Sequence, residues 1–192
     1  MMLHTGFKHP VDDAQRNFRA LLEALSRPLQ PRALPTLPPA LPGLAAGTVA
    51  LLYTLADQDV AVWLPDLPAD TLATLRFHTG MTLAASPLAA DFIVIPTGRA
   101  LPALDALPAG EAEYPDRAAT LIIETGAFHQ CDVEASGPGI AAPLRFGAQG
   151  LPKDFWRQWQ VNHARYPLGV DALLVADGVI AGLPRSVSVK EG

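Results

Sequence analysis

Apolar runs bounded by turn residues divide this chain into short elements, and the clearest of them lie near the C-terminus. Tyr166 to Arg185 contains two apolar runs separated by Asp177-Gly178. A type I′ turn requires positive φ at both central residues, and Asp-Gly is a pair that accepts this conformation. The segment therefore predicts a turn, a buried strand, a hairpin turn and a second strand that is followed by an arginine.

Apolar residues at spacings of three and four predict helices in other parts of the chain. In the first, Val11 to Arg27, Asp12 or Asp13 can cap the N-terminus and Pro28 ends the helix. Its apolar stripe consists of Ala14, Phe18, Leu21, Leu22 and Leu25. The other predicted helices are Leu44 to Ala56, Ala69 to His78 (followed by Gly80 as its C′ residue), Leu101 to Leu107 and Pro152 to Asn162.

Short β-rich runs alternate with these helices. The exception is Gln30 to Gly43, whose five prolines predict an extended connector along the surface. The predicted strands, apart from the hairpin, are Val60 to Leu64, Phe92 to Ile95, Ala119 to Thr125 and His129 to Ala135. Strands that alternate with helices and partly pair by hairpins predict an α/β fold with a mixed sheet and helices on its faces. The length predicts a single domain over residues 1–192.

Composition and charge narrow the class of protein. Charged residues make up 17% of the chain and hydrophobic residues 49%, so we expect a globular protein with apolar surface available for a partner chain. A net charge of −5 with scattered basic residues argues against a nucleic-acid partner. Met1 to Asn17 lacks the apolar core of a signal peptide, and the longest apolar run, Val49 to Ala56, is too short to span a membrane. We therefore expect a cytoplasmic protein.

Arg76 and His78 are the first candidates for chemistry. An arginine with a histidine can hold and protonate an anion such as a phosphate or a phosphonate. The same two residues fall in the last turn of a predicted helix, where positive side chains complement the helix dipole, and the sequence permits both interpretations. Arg185 could join an anion site, pair with Asp171, or pair with a neighbour across an interface.

The remaining candidates are weaker. Glu111, Glu113 and Asp116 form an acidic cluster that suits either acid–base chemistry, Mg²⁺ or a solvated loop. Ser136-Gly-Pro-Gly139 predicts a plain turn rather than a phosphate-binding loop, because no Lys-Ser or Lys-Thr pair follows it. Cys131 is the only cysteine, which excludes an internal disulfide, and its alternating run predicts a small buried residue. The motifs predict neither a metal site nor a bound cofactor.

A set of segments along the chain carries a family resemblance: Phe18 to Pro28, Leu52 to Asp57 with Val62 to Leu64, Arg76 to Thr79, Glu113 to Asp116 with Ala119 to Ile122, Gly137 to Ile140, Tyr166 to Asp171 and Leu183 to Arg185. In this order and spacing they resemble the PhnH family, whose members are subunits of the bacterial carbon–phosphorus lyase system. The resemblance covers nearly the whole chain, and it is carried by the ordered set rather than by one motif. Two positions depart from the family pattern. Leu29 stands where a glycine usually follows Pro28, and Arg117-Ala118 replaces small residues, often including a glycine, that precede a strand in the family.

This resemblance implies a fold and a function. The fold is a three-layer α/β/α sandwich similar to the large domain of pyridoxal-phosphate-dependent transferases, without the cofactor. The implied assembly is a homodimer that joins other carbon–phosphorus lyase subunits. The implied step is the displacement of adenine from a nucleoside triphosphate by an alkylphosphonate, which gives a ribose 1-phosphonate triphosphate. The family assigns no catalytic residue to this subunit, so none is transferred to this chain.

Three hypotheses of function follow. The first is a non-autonomous subunit of this transferase and lyase machinery that acts in assembly or in positioning a ligand. The second is a stand-alone enzyme or binding protein that holds a phosphate or phosphonate with Arg76, His78 and Arg185. The third is a pyridoxal-phosphate enzyme, which predicts a yellow protein.

Overall fold

The computed structural model describes residues 3–191, and its C-terminal hairpin has the predicted form. Strand β8 (Asp171–Ala176) and strand β9 (Val179–Leu183) pair antiparallel. Asp177 has φ 43° and Gly178 has φ 80°, so both turn residues adopt the positive φ that a type I′ turn requires. The hairpin prediction is confirmed.

The hairpin belongs to a seven-stranded mixed sheet. Its other strands are β1 (Arg32–Ala33), β2 (Ala61–Trp63), β3 (Thr82–Leu83), β4 (Phe92–Ile95) and β5 (Thr120–Glu124). The spatial order is β1-β9-β8-β5-β4-β2-β3. Neighbours from β8 to β3 pair parallel, whereas β9 pairs antiparallel with both β8 and β1. The chain is therefore an α/β protein with a large mixed sheet, as the alternation of elements predicts.

Three helices contribute to the core on one face of this sheet. They are α1 (Pro10–Ser26), α2 (Ala46–Leu55) and α3 (Ala69–Thr79). Leu51 of α2 and Leu75 of α3 share a buried cluster with Val94 and Ile122 of the central strands. Gly80 follows α3 in the left-handed conformation with φ 75°, which confirms its predicted C′ role.

The other face carries one helix and a second, smaller sheet. Helix α4 (Phe155–Ala164) packs with an antiparallel sheet made of β6 (Phe128–Ser136), β7 (Leu144–Ala148) and β10 (Ser188–Glu191) in the order β10-β6-β7. Phe155 and Trp159 of α4 are fully buried in this second core. The third layer is thus part helix and part sheet, and β7 and β10 were not predicted.

The buried face of α1 differs from the predicted apolar stripe. Phe18 and Leu22 are 43% and 50% exposed, whereas the buried positions are Asp13, Asn17, Leu21 and Ala24. Asn17 is buried because its side-chain amide holds the backbone of Thr36, donating to the carbonyl at 2.9 Å and accepting from the N–H at 3.1 Å. The polar face of α1 therefore fastens the proline-rich connector, and part of its apolar stripe remains at the surface.

Other expectations need smaller corrections. The segment predicted as a helix from Leu101 to Leu107 contains only the 3₁₀ turn Leu104–Ala106, and further 3₁₀ turns are Pro87–Ala89 and Pro115–Arg117. The proline-rich connector includes β1, which was not predicted. Leu29 is buried with φ 57°, a conformation that glycine adopts far more readily than leucine. Within residues 3–191, no helix combines the length and the apolar character needed to cross a membrane.

Candidate functional site

The edge where the parallel strands end is the first place to look for a site, because ligands of open α/β sheets bind beyond the carboxyl ends of the strands. Glu124, the last residue of β5, lies there and is almost buried. Its Oε1 accepts a 2.7 Å hydrogen bond from the N–H of Ala45, at the start of α2. Its Oε2 accepts from the N–H and the hydroxyl of Thr97 at 3.1 and 3.3 Å. Glu124 therefore holds two loops in place at this edge.

A cavity of about 350 Å³ opens beside Glu124, at the ends of β5 and β8. Its volume suits a small molecule. Among the described residues that line it, Asp177 is the one ionisable residue; the others are Thr125, Gly126, Ala127, Phe128, Ala176 and Val179. Asp177 is exposed, and none of the other described lining residues is basic. The lining therefore offers neither a positive charge for an anion nor a partner for acid–base chemistry.

Arg76 and His78 lie in the last turn of α3, and both are exposed. The Nε2 atom of His78 is 3.0 Å from the carbonyl oxygen of His4, and its ring packs 5.1 Å from the ring of Tyr53. A side chain at Gly6 would collide with this ring, since an added Cβ would lie 2.8 Å from it. His78 therefore fastens the segment before α1 to α3.

Arg185 is held differently, beside α4 on the other side of the sheet. Its guanidinium forms a bidentate pair with Asp171, with Nε 3.1 Å from Oδ1 and a terminal nitrogen 2.5 Å from Oδ2. The second terminal nitrogen donates to the carbonyl of Pro115 at 2.8 Å. Asp171 also accepts from the backbone N–H of Arg185 at 2.7 Å. This is the pairing that the sequence offered as one alternative, and it does not bring Arg185 to Arg76 and His78.

The two weaker candidates lie in ordinary turns. Glu111, Glu113 and Asp116 are exposed, and the loop that carries them is closed by paired backbone hydrogen bonds between Glu111 and Tyr114. In Ser136-Gly-Pro-Gly139, Gly139 has φ 82°, and an added Cβ there would overlap the carbonyl of Ser26. This turn therefore packs against the end of α1, which accounts for its glycine.

Cys131 is exposed, so the prediction of a buried cysteine is wrong. The regular alternation of β6 is interrupted between His129 and Val133, and Cys131 lies in this irregular stretch. Desolvation, together with the hydrogen bond and negative charge of Asp132, raises the pKa of the Cys131 thiol. A thiol that is harder to ionise is not an activated nucleophile. The interruption of the strand could not be read from the apolar pattern, because Cys131 and Val133 fit the alternation.

Sequence reasoning also missed Tyr53, which packs between Phe7 and His78 with ring centroids 5.6 and 5.1 Å away. Its hydroxyl is buried and has no hydrogen-bond partner among residues 3–191. Burial raises the pKa of Tyr53 to about 12. Its position inside an apolar helix gave no signal of this environment.

Comparisons with known proteins connect this fold to a family. The family model described as bacterial phosphonate metabolism protein (PhnH) matches residues 5–190. The chain is 35% identical over 190 residues to the alpha-D-ribose 1-methylphosphonate 5-triphosphate synthase subunit PhnH of Rhizobium meliloti (strain 1021), which covers 96% of this chain and 94% of that protein. It is 30% identical over 178 residues to the putative C-P lyase subunit protein HtxG of Stutzerimonas stutzeri, covering 91% of this chain and 85% of that protein. The chain therefore belongs to the PhnH family of bacterial phosphonate metabolism proteins.

Proposed function

We propose that this chain is the PhnH subunit of an alpha-D-ribose 1-methylphosphonate 5-triphosphate synthase and works within a carbon–phosphorus lyase complex. The observation that carries the proposal is the likeness to a synthase subunit of that name over 96% of this chain. In this reaction an alkylphosphonate displaces adenine from a nucleoside triphosphate. The role of this subunit is assembly, or the positioning of a ligand, in the cytoplasm.

The internal chemistry of the chain favours a subunit over a stand-alone enzyme. The carboxylate of Glu124 and the guanidinium of Arg185 are both occupied by hydrogen bonds within the chain. The three lysines, Lys8, Lys153 and Lys190, are exposed, which does not suit a Schiff base in a closed pocket. We therefore propose that the fold is similar to the large domain of pyridoxal-phosphate-dependent transferases but binds no such cofactor.

The exposed apolar surface supports a role in assembly. Val11, Phe18 and Leu22 lie along one side of α1 and are 82%, 43% and 50% exposed. A helix that is apolar on its solvent-facing side is typical of a surface that a partner covers. We propose that this stripe of α1 contributes to a homodimer and that the dimer joins the other subunits of the complex.

Co-purification tests the proposal directly. The tagged chain is co-expressed with the other synthase and lyase subunits of its organism. The molar mass of the recovered complex is then measured by size-exclusion chromatography with light scattering. We expect the partners to be retained and the isolated chain to be a dimer. The double variant Phe18→Glu and Leu22→Glu should become monomeric, while Arg157→Glu, an exposed change on α4 at the other face of the sheet, should not. A stable wild-type monomer that ignores its partners would refute the proposal.

The alternative, a stand-alone phosphate- or phosphonate-binding protein that uses Arg76, His78 and Arg185, is tested by calorimetry. The purified chain is titrated with ATP and with methylphosphonate, and the same titrations are made with Arg76→Ala and His78→Ala. We expect no saturable binding by the isolated chain, because His78 and Arg185 are engaged within the fold and lie in different layers. Saturable binding that is lost in correctly folded His78→Ala would favour the alternative.

A further inference from the structure

The irregular stretch of β6 brings together an imidazole, a thiol and a carboxylate, three groups that can bind a metal ion. His129 is paired in register with Gly147 of β7, and the next matched pair is Val133 with Phe146, so residues 130–132 have no partner in the ladder. In an unbroken strand, Asp132 would point to the opposite face from His129 and Cys131, since side chains alternate. The bulge removes this alternation and places all three on the same side. We infer that His129, Cys131 and Asp132 form a Zn²⁺ site.

The distances within this triad, His129, Cys131 and Asp132, suit a small cation. The Sγ of Cys131 is 2.9 Å from Nδ1 of His129 and 3.6 Å from Oδ1 of Asp132. Nε2 of His129 is 3.7 Å from Oδ2 of Asp132, and one ligand atom from each residue lies within 4.8 Å of the other two. Tetrahedral zinc with bonds of about 2.0–2.3 Å sets its ligand atoms about 3.3–3.7 Å apart. Each residue would supply one ligand atom, so a single ring nitrogen of His129 and a single oxygen of Asp132 would join the thiolate. Small rotations of the side chains would bring these three atoms, already within 4.8 Å of one another, to the spacing that zinc requires.

Gly147 provides the space for this arrangement. A Cβ added at Gly147 would lie 2.5 Å from both Oδ2 of Asp132 and Nδ1 of His129, and would overlap the imidazole. Gly147 is not among the glycines with positive φ, so its backbone is one that other residues adopt. The glycine is thus needed for the room it leaves rather than for its conformational freedom. That room lies between two of the three ligand groups.

The chemistry of the three donors selects the metal. A thiolate with an imidazole and a carboxylate is a mixed sulfur, nitrogen and oxygen set that suits Zn²⁺ and disfavours Mg²⁺ or Ca²⁺, which prefer oxygen. The indole N–H of Trp156 donates to Oδ2 of Asp132 at 3.5 Å and so helps to orient this carboxylate. The side chains of His129 and Asp132 are 29% and 33% exposed, and Cys131 is exposed. Three protein ligands at the surface leave a fourth position open to water, to a ligand or to a partner subunit.

Zinc titration of the full-length chain tests the site. The protein is stripped with a chelator, dialysed and titrated with Zn²⁺ in competition with a chromophoric chelator, with intrinsic tryptophan fluorescence as a second readout. We expect about one ion per chain, with affinity lowered at least about 100-fold in Cys131→Ser and in Asp132→Asn. Glu134→Gln, which changes an exposed carboxylate on the same strand, should bind as the wild type does. The inference is overturned if the wild type fails to compete for zinc or if both ligand variants keep wild-type affinity.

Two further measurements identify the ligands. Replacing zinc by Co²⁺ should give a sulfur-to-cobalt charge-transfer band in the near ultraviolet that Cys131→Ser lacks, and a wild-type spectrum without that band would overturn thiolate ligation. Gly147→Ala should weaken zinc binding at least about tenfold, because the new methyl group enters the space between His129 and Asp132. Its fold is checked by circular dichroism. A folded Gly147→Ala variant with wild-type affinity would refute the spatial argument.

Discussion

Two polar clusters on the same side of the large sheet differ in whether their side chains are bonded to the rest of the fold. In the pair of Asp171 and Arg185, the side chains are only 25% and 13% exposed, and the guanidinium is shared between the carboxylate and the carbonyl of Pro115. In the triad of His129, Cys131 and Asp132, the donors contact mainly one another and face solvent. The first cluster uses its hydrogen bonds to hold the fold together. The second has ligand atoms available for something outside the chain.

The largest expected effect is on the closed cluster. Arg185→Ala would leave Asp171 as a poorly compensated carboxylate and free the carbonyl of Pro115, so we expect unfolding to become easier by about 3 kcal/mol. Arg185→Lys keeps the charge but loses the bidentate geometry and should cost about half as much. Urea denaturation followed by circular dichroism measures both. A change below about 0.5 kcal/mol in Arg185→Ala would show that this pair is not structural.

A smaller effect should follow from the unpaired hydroxyl of Tyr53. Tyr53→Phe removes a buried polar atom without a described partner, so we expect neutral or increased stability, by up to about 1 kcal/mol. The folded-state pKa, raised to about 12, lies above the ordinary value of 10.0. The ionisation of this phenol therefore does not affect stability below about pH 10, and stability falls as the pH rises from 10 towards 12, because the unfolded chain loses this proton first. Stability measured against pH should fall less steeply at alkaline pH in Tyr53→Phe; an unchanged slope would contradict the assignment.

The smallest effect on stability should come from the open cluster. Without metal, Cys131→Ser should unfold within about 0.5 kcal/mol of the wild type, because the side chain is exposed and its neighbours stay solvated. Thermal denaturation in a chelator makes the measurement. A loss of more than about 1 kcal/mol would mean that the triad supports the fold as the Asp171–Arg185 pair does, and the contrast between the two clusters would disappear.

Much of the fold could be predicted from local pattern. The strand from Phe92 to Ile95 and the Asp177-Gly178 turn match their predictions, because a short apolar run and a turn with positive φ leave few conformations open. The stripe of α1 was only partly right, because burial depends on what packs against the helix. Asn17 is buried there by hydrogen bonds to Thr36, which no periodicity reports.

The candidate site was less accessible from sequence. Arg76 and His78 were correctly placed in the last turn of a helix, but the contact that His78 makes is with the backbone of His4, 74 residues away. The pairing of Asp171 with Arg185 was one of the alternatives offered by the sequence. The other partner of the Arg185 guanidinium, the carbonyl of Pro115, is 70 residues away in the chain and could not be foreseen. The bulge that reorients Asp132 leaves no mark on the apolar pattern.

The sequence by itself determined the type and approximate bounds of most helices and strands, the mixed α/β class and membership in the PhnH family, because these depend on local propensity and on an ordered set of segments. Only the tertiary structure decided which polar groups are satisfied and which remain open. The register between β6 and β7 brings His129, Cys131 and Asp132 together beside Gly147. The packing of a distant loop places the carbonyl of Pro115 where it accepts a hydrogen bond from Arg185. These contacts join residues whose meeting depends on strand register and layer packing, which the sequence of each element does not specify.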